Sequence, residues 1–525
     1  MKSKIQILAL SIAVLYSAVS SAESIDAKKL YMDNCAGCHQ GGRVGTRFVP
    51  QLSKEQLGAL SNSAVSTMIK TGIPGTLMPP WVGKLSEDEI SSIAELIRTT
   101  NPENLDFTLE DAKKSLEILV DEKTLPNAPI YKSDVMDLMA VMGRGRHAQA
   151  PESKIFFFDG KTNKKVAEIE TVKAPHILRY HPTNPRWAYV KTDTSEIYKI
   201  DLYTMKAVRK VKTAISGPFM AVSWDGKWIA AGSIVPGAVM ILNADTLEPV
   251  KQYYLKGTDA SGKEISSYSA SVTASAVGNQ FSVAARTLGE VWLIDPNKPD
   301  MPVTKINTKL PGEKSTWLYD AFTSADQRYL FLTDRKPNDK IVVIDFKEKK
   351  KVADIPAGCN PHVGSGGMLK SNNGKELYIS ANGGVCSKGT VVTVWDGKDF
   401  SLVKQIKTSN STASVAIHPN APYIVVDITD DGFIELIDKT TLEVVRKIHV
   451  GGNTNYPEYT RDGKYLYIAA GYMGDHLKIF DSKTFNVVAD YRIGAPAGTF
   501  AHARVLWGGL KGATEKPLGY DFTKN

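Results

Sequence analysis

The chain has 525 residues, of which 42% are hydrophobic and 23% are charged, and its formal net charge is +8. This length exceeds that of one small domain and predicts at least two. The basic residues are scattered apart from a short run at 347–351 that suits a solvated turn, which argues against a nucleic-acid-binding protein.

Residues 1–22 have the composition of a secretory leader. Lys2 and Lys4 precede an apolar run over 5–19, and the small residues at 20–22 suit cleavage. The run is shorter than the ~20 apolar residues of a bilayer span, and no later segment is apolar for long enough. We therefore expect this signal peptide to be removed and the mature chain to be exported, soluble and without a membrane span.

Residues 35–39 read Cys-Ala-Gly-Cys-His, which is the attachment sequence of a c-type haem. The thiols of Cys35 and Cys38 would bind the haem vinyl groups, and His39 is placed to bind the iron. Met78, in a Thr-Leu-Met-Pro-Pro-Trp segment, offers a second axial ligand, although a methionine there could instead fill the core. Because c-type haems are attached outside the bacterial cytoplasm, the motif and the leader both predict a periplasmic protein.

Two of the four cysteines remain after this assignment. An oxidising compartment would let Cys359 and Cys386 form a disulfide, and two buried thiols are the alternative.

The segment around the haem motif has helical periodicity. Apolar residues three and four positions apart predict helices, and Ser86 with Glu89 forms a capping-box pattern at the start of the last one. The pattern predicts a small all-α cytochrome c domain over 23–104, followed by a mixed linker over 105–135. The helices are expected at 27–34, 54–71 and 86–99.

From residue 136 the pattern changes to short strands with an internal repeat. An apolar strand ending in Asp or Asn, followed by a polar turn, recurs eight times, and a turn such as Asp225-Gly226-Lys227 lies between copies. The copies are roughly 40 to 50 residues apart, which is the period of four-stranded propeller blades. Residues 136–525 are therefore predicted to form an all-β eight-bladed propeller, which Phe500–Trp507 would close against the first blade. The eight markers are Asp159, Asp201, Asn243, Asp295, Asp345, Asp396, Asp438 and Asp481.

The innermost strand of each blade starts near the propeller axis, so the residues at these starts should ring one mouth of the central channel. The first and fifth of eight starts are diametrically opposite, so we expect His176 and His362 to face one another. Two opposed imidazoles suit a flat metal macrocycle that lies between them. One imidazole would ligate the iron, and the other would act on whatever binds the far face of the macrocycle. The starts, in order, are His176, Pro218-Phe219, Ser267–Ser269, Tyr319-Asp320, His362, Ser414, Tyr456-Pro457 and Thr499–His502.

Other histidines have different interpretations. His181 and His418 both precede proline at the same blade position, and this recurrence indicates an architectural role. His147 shares a loop with Arg144 and Arg146, whose guanidinium groups could bind carboxylates bidentately or could simply be solvated.

An exported cytochrome c domain followed by an eight-bladed propeller resembles the cytochrome cd1 family over almost the whole mature chain. The family holds haem d1 noncovalently in its propeller. Pro-His-Ile-Leu-Arg at 175–179 resembles the segment with the proximal histidine, which implies that His176 is the axial ligand and Arg179 contacts a haem carboxylate. Asn-Pro-His-Val-Gly at 360–364 resembles the segment with a distal histidine, which implies that role for His362.

The departures from this pattern favour one branch of the family. Tyr319 stands where the nitrite reductase has a second distal histidine, and Ser365 and Gly217 stand at or near positions where arginines are expected. Nitrite reduction needs two protons, which histidine with a pKa of about 6.5 supplies better than tyrosine with a pKa near 10. Leu-Tyr-Asp-Ala at 318–321 instead resembles haem d1 assembly proteins, one branch of which, the dihydro-haem d1 dehydrogenase, keeps the cytochrome c domain.

The resemblance implies an oxidoreductase that binds covalent haem c and noncovalent haem d1 or its dihydro precursor. In that branch a precursor propionate becomes an acrylate, with Tyr319, His362 and Asp320 as candidate proton-handling residues and haem c as the electron acceptor. A periplasmic electron-transfer protein, other haem d1 assembly proteins and the nitrite reductase are the implied partners. The alternatives are a nitrite reductase with a modified pocket, a non-catalytic haem d1 carrier, and a propeller without a tetrapyrrole that serves as an interaction module.

Overall fold

A computed structural model of the chain describes residues 25–39, 42–43, 49, 52, 54–58, 60–73, 78–100, 106–144, 153–170, 175–258, 262–313, 315–335, 337–383, 390–429, 431–471 and 474–507. The predicted signal peptide, Arg146, His147 and Cys386 lie outside these residues. No helix in the described part is both long and apolar enough to cross a bilayer.

The N-terminal region is helical. The predicted helix over 54–71 is interrupted: one turn ends at Leu57, and the next helix starts after Ser61, whose side chain accepts a hydrogen bond from the Ala64 amide. The predicted capping box of Ser86 and Glu89 is present. The helices are Ala27–Asn34, Ala36–His39, Lys54–Leu57, Asn62–Thr71 and Glu87–Thr99.

The linker packs against the propeller. Its helix Leu109–Lys114 buries Ala112 in a cluster with residues of the second and third blades. The short strand Glu117–Ile118 then pairs with the outermost strand of the second blade, Lys206–Lys212, and covers that exposed sheet edge. Short 3-10 turns follow at Glu122–Thr124 and Val135–Asp137.

The rest of the described chain forms eight four-stranded antiparallel sheets, which confirms the predicted eight-bladed propeller. From the axis outwards, blade 1 contains Pro496–Ala501, Leu138–Arg144, Ser153–Asp159 and Lys165–Glu170; blade 2, Pro175–Tyr180, Trp187–Thr192, Glu196–Asp201 and Lys206–Lys212; blade 3, Phe219–Val222, Trp228–Gly232, Ala238–Asn243 and Pro249–Tyr254; blade 4, Ser269–Ser275, Gln280–Ala285, Glu290–Ile294 and Val303–Asn307.

The second half continues the same pattern. Blade 5 contains Leu318–Thr323, Tyr329–Asp334, Lys340–Asp345 and Lys350–Pro356; blade 6, Pro361–Lys370, Glu376–Asn382, Val391–Asp396 and Leu402–Lys407; blade 7, Val415–Ala416, Tyr423–Ile428, Phe433–Asp438 and Val444–His449; blade 8, Asn455–Tyr459, Tyr465–Ala469, His476–Asp481 and Val487–Arg492. A separate hairpin, Lys256–Thr258 with Glu264–Ser266, lies between blades 3 and 4.

The recurring Asp or Asn marker has a local physical cause. In blade 7, the Asp438 carboxylate accepts hydrogen bonds from the amides of Thr440 and Thr441, both at 2.8 Å, and Leu442 has a positive φ of 54°. Asp481 makes the same contacts at the equivalent turn of blade 8. The side chain therefore fixes the turn between the third and fourth strands, so the marker recurs once per blade.

The ring closes in blade 1, but with different bounds from those predicted. The closing strand is Pro496–Ala501, which pairs with Leu138–Arg144. His502–Trp507, predicted as part of this strand, forms a 3-10 helix instead. The His502 ring stacks on Tyr180, with centroids 4.1 Å apart, and its Nδ1 lies 2.6 Å from the Val135 carbonyl oxygen, so this segment turns away from the sheet.

Candidate functional site

The haem-attachment motif lies at the junction of the first two helices. The Cys35 amide donates to the Tyr31 carbonyl, so Cys35 caps the first helix, while Cys38 and His39 lie on the short helix that follows. Cys35 and Cys38 carry thiols, and His39 is 7% exposed. Consecutive turns thus present two thiols and an imidazole, as covalent haem c requires.

Met78 belongs to the same apolar cluster as Cys35. Its carbonyl oxygen accepts a hydrogen bond from the Ile73 amide at 3.1 Å. Gly72 has a φ of 67°, and a Cβ there would lie 2.6 Å from that carbonyl oxygen, so glycine is needed for this close approach. Met78 therefore packs in the cluster that holds the attachment motif, where its thioether could serve as the second ligand of a bound haem.

In the propeller, His176 lies at the start of the innermost strand of blade 2 and is held by two charged side chains. Its Nδ1 is 2.7 Å from Oδ1 of Asp193, and Arg144 donates to the other oxygen of that carboxylate at 3.0 Å. Arg144 Nη2 also lies 2.8 Å from the same ring nitrogen. Because Nδ1 is engaged, Nε2 is the atom through which His176 would bind an iron, with its orientation fixed by the carboxylate.

His362 lies four blades from His176 along the ring, as the repeat predicts. Its Nε2 is 2.9 Å from Oδ2 of Asp320, and the centroid of its ring is 5.6 Å from that of Tyr319. Its Nδ1 is buried and has no hydrogen-bond partner among the described residues. In the neutral tautomer that donates Nε2–H to Asp320, Nδ1 carries a lone pair and can accept a proton.

The charge on Asp320 is set by its neighbours. Burial alone would raise the pKa of Asp320, but the charge and hydrogen bond of His362, with the positive fields of Arg335 and Arg286, lower it below the usual carboxyl value. Asp320 is therefore an anion at neutral pH and favours the Nε2–H tautomer of His362.

Two arginines that sequence reasoning missed border Tyr319. The Arg335 guanidinium carbon lies 3.5 Å from the centroid of the Tyr319 ring, and that of Arg286 lies 4.8 Å from it. Both residues directly follow the second strand of their blades, as Asp193 does in blade 2. Comparing this position between blades, as well as the starts of the innermost strands, would have found them.

A cavity of about 270 Å³ runs along the innermost strands. His176, Arg144 and Asp320 line it, as does Arg179 further along the strand that carries His176. Arg179 donates to the carbonyl of Leu178 at 3.1 Å; burial and the nearby Arg504 lower the pKa of its guanidinium to about 10. Arg179 thus carries positive charge inside the channel, where a carboxylate could meet it.

The remaining predicted residues have other positions. Rings of His181 and His418 pack on the turn glycines of the next blades, Gly226 and Gly463, consistent with an architectural role. Cys359 is part of a disulfide, while its candidate partner lies outside the described residues.

A family model described as "Cytochrome D1 heme domain" matches residues 133–505. The chain belongs to this heme d1 family. A second model, "Cytochrome C oxidase, cbb3-type, subunit III", matches residues 23–97, so this member joins a cytochrome c domain to the heme d1 propeller.

Individual proteins that are similar to this chain match different shares of its length. The dihydro-heme d1 dehydrogenase of Pseudomonas aeruginosa is 27% identical over 94% of this chain and 97% of its own length. The nitrite reductase of Stutzerimonas stutzeri is 24% identical over 69% of this chain and 66% of its own length. Among solved structures, dihydro-heme d1 dehydrogenase NirN in complex with DHE gives a TM-score of 0.73 at 25% identity, covering 91% of this chain and 99% of that one.

Proposed function

We propose that this protein is a periplasmic dehydrogenase that oxidises a propionate side chain of dihydro-haem d1 to an acrylate. The side chain loses one hydrogen from each of its two methylene carbons, which releases two protons and two electrons and leaves a carbon–carbon double bond. The observation that carries the proposal is the Tyr319–Asp320–His362 cluster, which lies across the propeller mouth from the His176–Asp193 pair.

His176 is the residue proposed to hold the macrocycle. Its Nδ1 contact with Asp193 fixes the ring and increases the basicity of Nε2, the nitrogen proposed to bind the iron. The Arg144 guanidinium neutralises the buried Asp193 carboxylate, so the group that orients the ligand stays ionised without an unpaired buried charge.

His362 is the proposed general base. Asp320 accepts from Nε2–H, so the lone pair lies on the buried Nδ1, and after proton uptake the adjacent carboxylate stabilises the imidazolium. A phenol at position 319 suits this chemistry better than nitrite reduction, because the dehydrogenation releases protons and needs no second donor.

Bound through the motif at residues 35–39 and Met78, haem c would supply a one-electron acceptor. The two electrons would therefore leave in two successive transfers, each followed by re-oxidation by a periplasmic electron-transfer protein, and the proton that His362 does not take would pass to solvent. Because the product is haem d1, other assembly proteins or a nitrite reductase are the proposed recipients.

The test is acrylate formation on dihydro-haem d1 bound to the purified haem c-containing protein. The His362→Ala variant is expected to lose about 10²- to 10⁴-fold in rate, the usual contribution of a general base. Tyr319→Phe keeps the ring that packs on Arg335 and tests the hydroxyl alone. Full turnover in both variants contradicts the proposed roles, and rapid conversion of nitrite to nitric oxide by the reduced protein supports the nitrite reductase alternative.

A further inference from the structure

Arg286 is a buried cation that interacts with the Asp320 carboxylate only through its field, without a hydrogen bond. It is 8% exposed, and among the described residues its guanidinium makes no ion pair and its Nε makes no hydrogen bond. By contrast, Arg144 is paired with Asp193, and Arg335 donates to the Pro361 carbonyl at 3.1 Å. A buried charge without a hydrogen-bonded partner is costly, so this position favours the arrival of an anion that its N–H groups can contact.

Three aromatic rings surround this guanidinium. Its central carbon lies 4.9 Å from the centroid of Tyr268, 5.2 Å from Trp317 and 4.8 Å from Tyr319. The rings hold the planar group by cation–π contacts, and among the described residues no carboxylate is hydrogen-bonded to its N–H groups. A planar, desolvated guanidinium of this kind suits a carboxylate, which it can bind through two parallel hydrogen bonds.

Arg286 and the proposed base have two neighbours in common, Tyr319 and Asp320. Tyr319 contacts Arg286 and, through its ring, approaches His362, with ring centroids 5.6 Å apart. In a propionate the carboxylate is bonded directly to one of the two carbons that lose hydrogen. A receptor for the reacting side chain must therefore lie near the base, and Arg286 and His362 share these two neighbours.

We infer that Arg286 is the receptor for the carboxylate of the side chain that is oxidised. It would thereby select which carboxylate-bearing side chain of the macrocycle lies beside His362. This inference rests on the proposed function for the identity of the substrate, but the binding step itself requires no turnover.

The test compares two probes, dihydro-haem d1 and its methyl ester, in which the carboxylates are neutral. Affinities of the haem c-containing protein are measured from absorption changes on titration. Wild type is expected to prefer the free acid, and Arg286→Met to lose about 10- to 100-fold in affinity for the acid with little change for the ester. Arg286→Lys should keep part of the preference, because an ammonium retains the charge but not the planar fork.

Lys305→Met is the matched control, because Lys305 lies 4.1 Å from the centroid of Trp292 on an outer strand of the same blade. It removes a cation from an aromatic ring away from the mouth and should leave both affinities unchanged. Equal losses for acid and ester in Arg286→Met, or no loss for either, would overturn the inference. The protein could bind the acid more tightly than the ester through Arg286 and yet fail to oxidise the substrate. That result would support Arg286 as the carboxylate receptor and contradict the proposed reaction.

Folding of the variants gives a second measurement. Without substrate, Arg286→Met and Arg286→Gln should melt close to the wild-type temperature, because the lost cation–π contacts and attraction to Asp320 are offset by the removal of a buried charge without a hydrogen-bonded partner. A clear fall in melting temperature for both would identify Arg286 as a structural cation and overturn the inference.

Discussion

Two carboxylates orient the two opposed histidines, His176 and His362, through different ring nitrogens. Asp193 contacts Nδ1 of His176, whereas Asp320 contacts Nε2 of His362. The nitrogen left for chemistry is therefore Nε2 in one residue and Nδ1 in the other. This difference suits a ligand role for His176 and a base role for His362.

The Asp193→Asn variant tests the first of these roles. The amide keeps the size of the side chain but removes the charge that orients His176 and pairs with Arg144. We expect about 10- to 100-fold weaker binding of dihydro-haem d1, the usual effect of losing the partner of a metal-binding histidine. The measurement is a titration followed by absorption. Wild-type affinity in a variant with an unchanged melting temperature would show that Asp193 does not position the ligand.

Lys191 gives a prediction about pH. It is fully buried, and its ammonium donates to the carbonyls of Gly232 at 2.8 Å and Phe219 at 3.3 Å, with no carboxylate in ion-pair distance among the described residues. Burial lowers its pKa to about 7, against about 10.4 in an unfolded chain. Between these values the unfolded chain binds the additional proton, so this group makes stability rise with pH, by about 1.4 kcal/mol per pH unit.

Replacement of Lys191 by methionine should therefore flatten the pH dependence. From pH 7 to pH 9 the wild-type free energy of unfolding should gain about 2–3 kcal/mol relative to that of Lys191→Met. Denaturant unfolding at several pH values measures both proteins. Parallel pH profiles would mean that Lys191 keeps an ordinary pKa.

Among structural elements, the turns between the first and second strands connect neighbouring blades. Gly226 has a φ of 73°, and a Cβ there would lie 2.1 Å from Cε1 of His181 in the preceding blade. Burial lowers the pKa of His181 to about 4, so the packed ring is neutral at neutral pH. The Gly463–His418 pair repeats this contact between blades 7 and 8.

Gly226→Ala should therefore be more destabilising than alanine at an equivalent turn. Gly374 is the matched control, because its φ is 80° but nothing lies within 4 Å of a Cβ built on it. The control should lose about 1 kcal/mol from backbone strain, and Gly226→Ala about 2–3 kcal/mol because the His181 ring must also shift. Denaturant unfolding measures the free energy of unfolding of both variants. Equal losses would show that the contact between blades does not contribute to stability.

At the scale of the whole molecule, the cytochrome domain meets the propeller at blade 3. A Cβ on Gly42 would lie 2.8 Å from Cγ2 of Val235, in the turn between the second and third strands of blade 3. That turn is linked by backbone hydrogen bonds to Ser216, and the next residue, Gly217, donates to the Asp193 carbonyl at 3.1 Å. A short stretch of backbone thus connects the cytochrome domain with the residue that orients His176.

Gly42→Val should separate the domains slightly and slow electron transfer from bound substrate to the cytochrome domain, while substrate affinity stays near wild type. Rapid mixing followed by the haem c absorption change measures the rate. Gly83→Ala is the control in the same domain, since nothing lies within 4 Å of a Cβ at that position. An unchanged rate in Gly42→Val would show that this contact does not set the distance for electron transfer.

The features that depend on local spacing along the chain could be predicted without coordinates. The Asp438 side chain accepts hydrogen bonds from amides two and three residues away, so each such turn requires an Asp or Asn at a fixed place in the sequence. Counting these residues predicts eight blades. The opposition of His176 and His362 follows from that count. The Cys-Ala-Gly-Cys-His motif is equally local, because one helical turn brings its ligands together.

The side-chain contacts between blades, by contrast, could not be predicted from the sequence. Arg144 on blade 1 reaches Asp193 on blade 2, and the aromatic residues around Arg286 come from separate segments of the chain. The position at which the closing strand ends, Ala501, could likewise not be predicted from the sequence, since it depends on pairing with a strand more than 300 residues away. The physical reason is that local spacing fixes turns and strand faces, whereas partners far apart in sequence are set by how the blades pack around the axis.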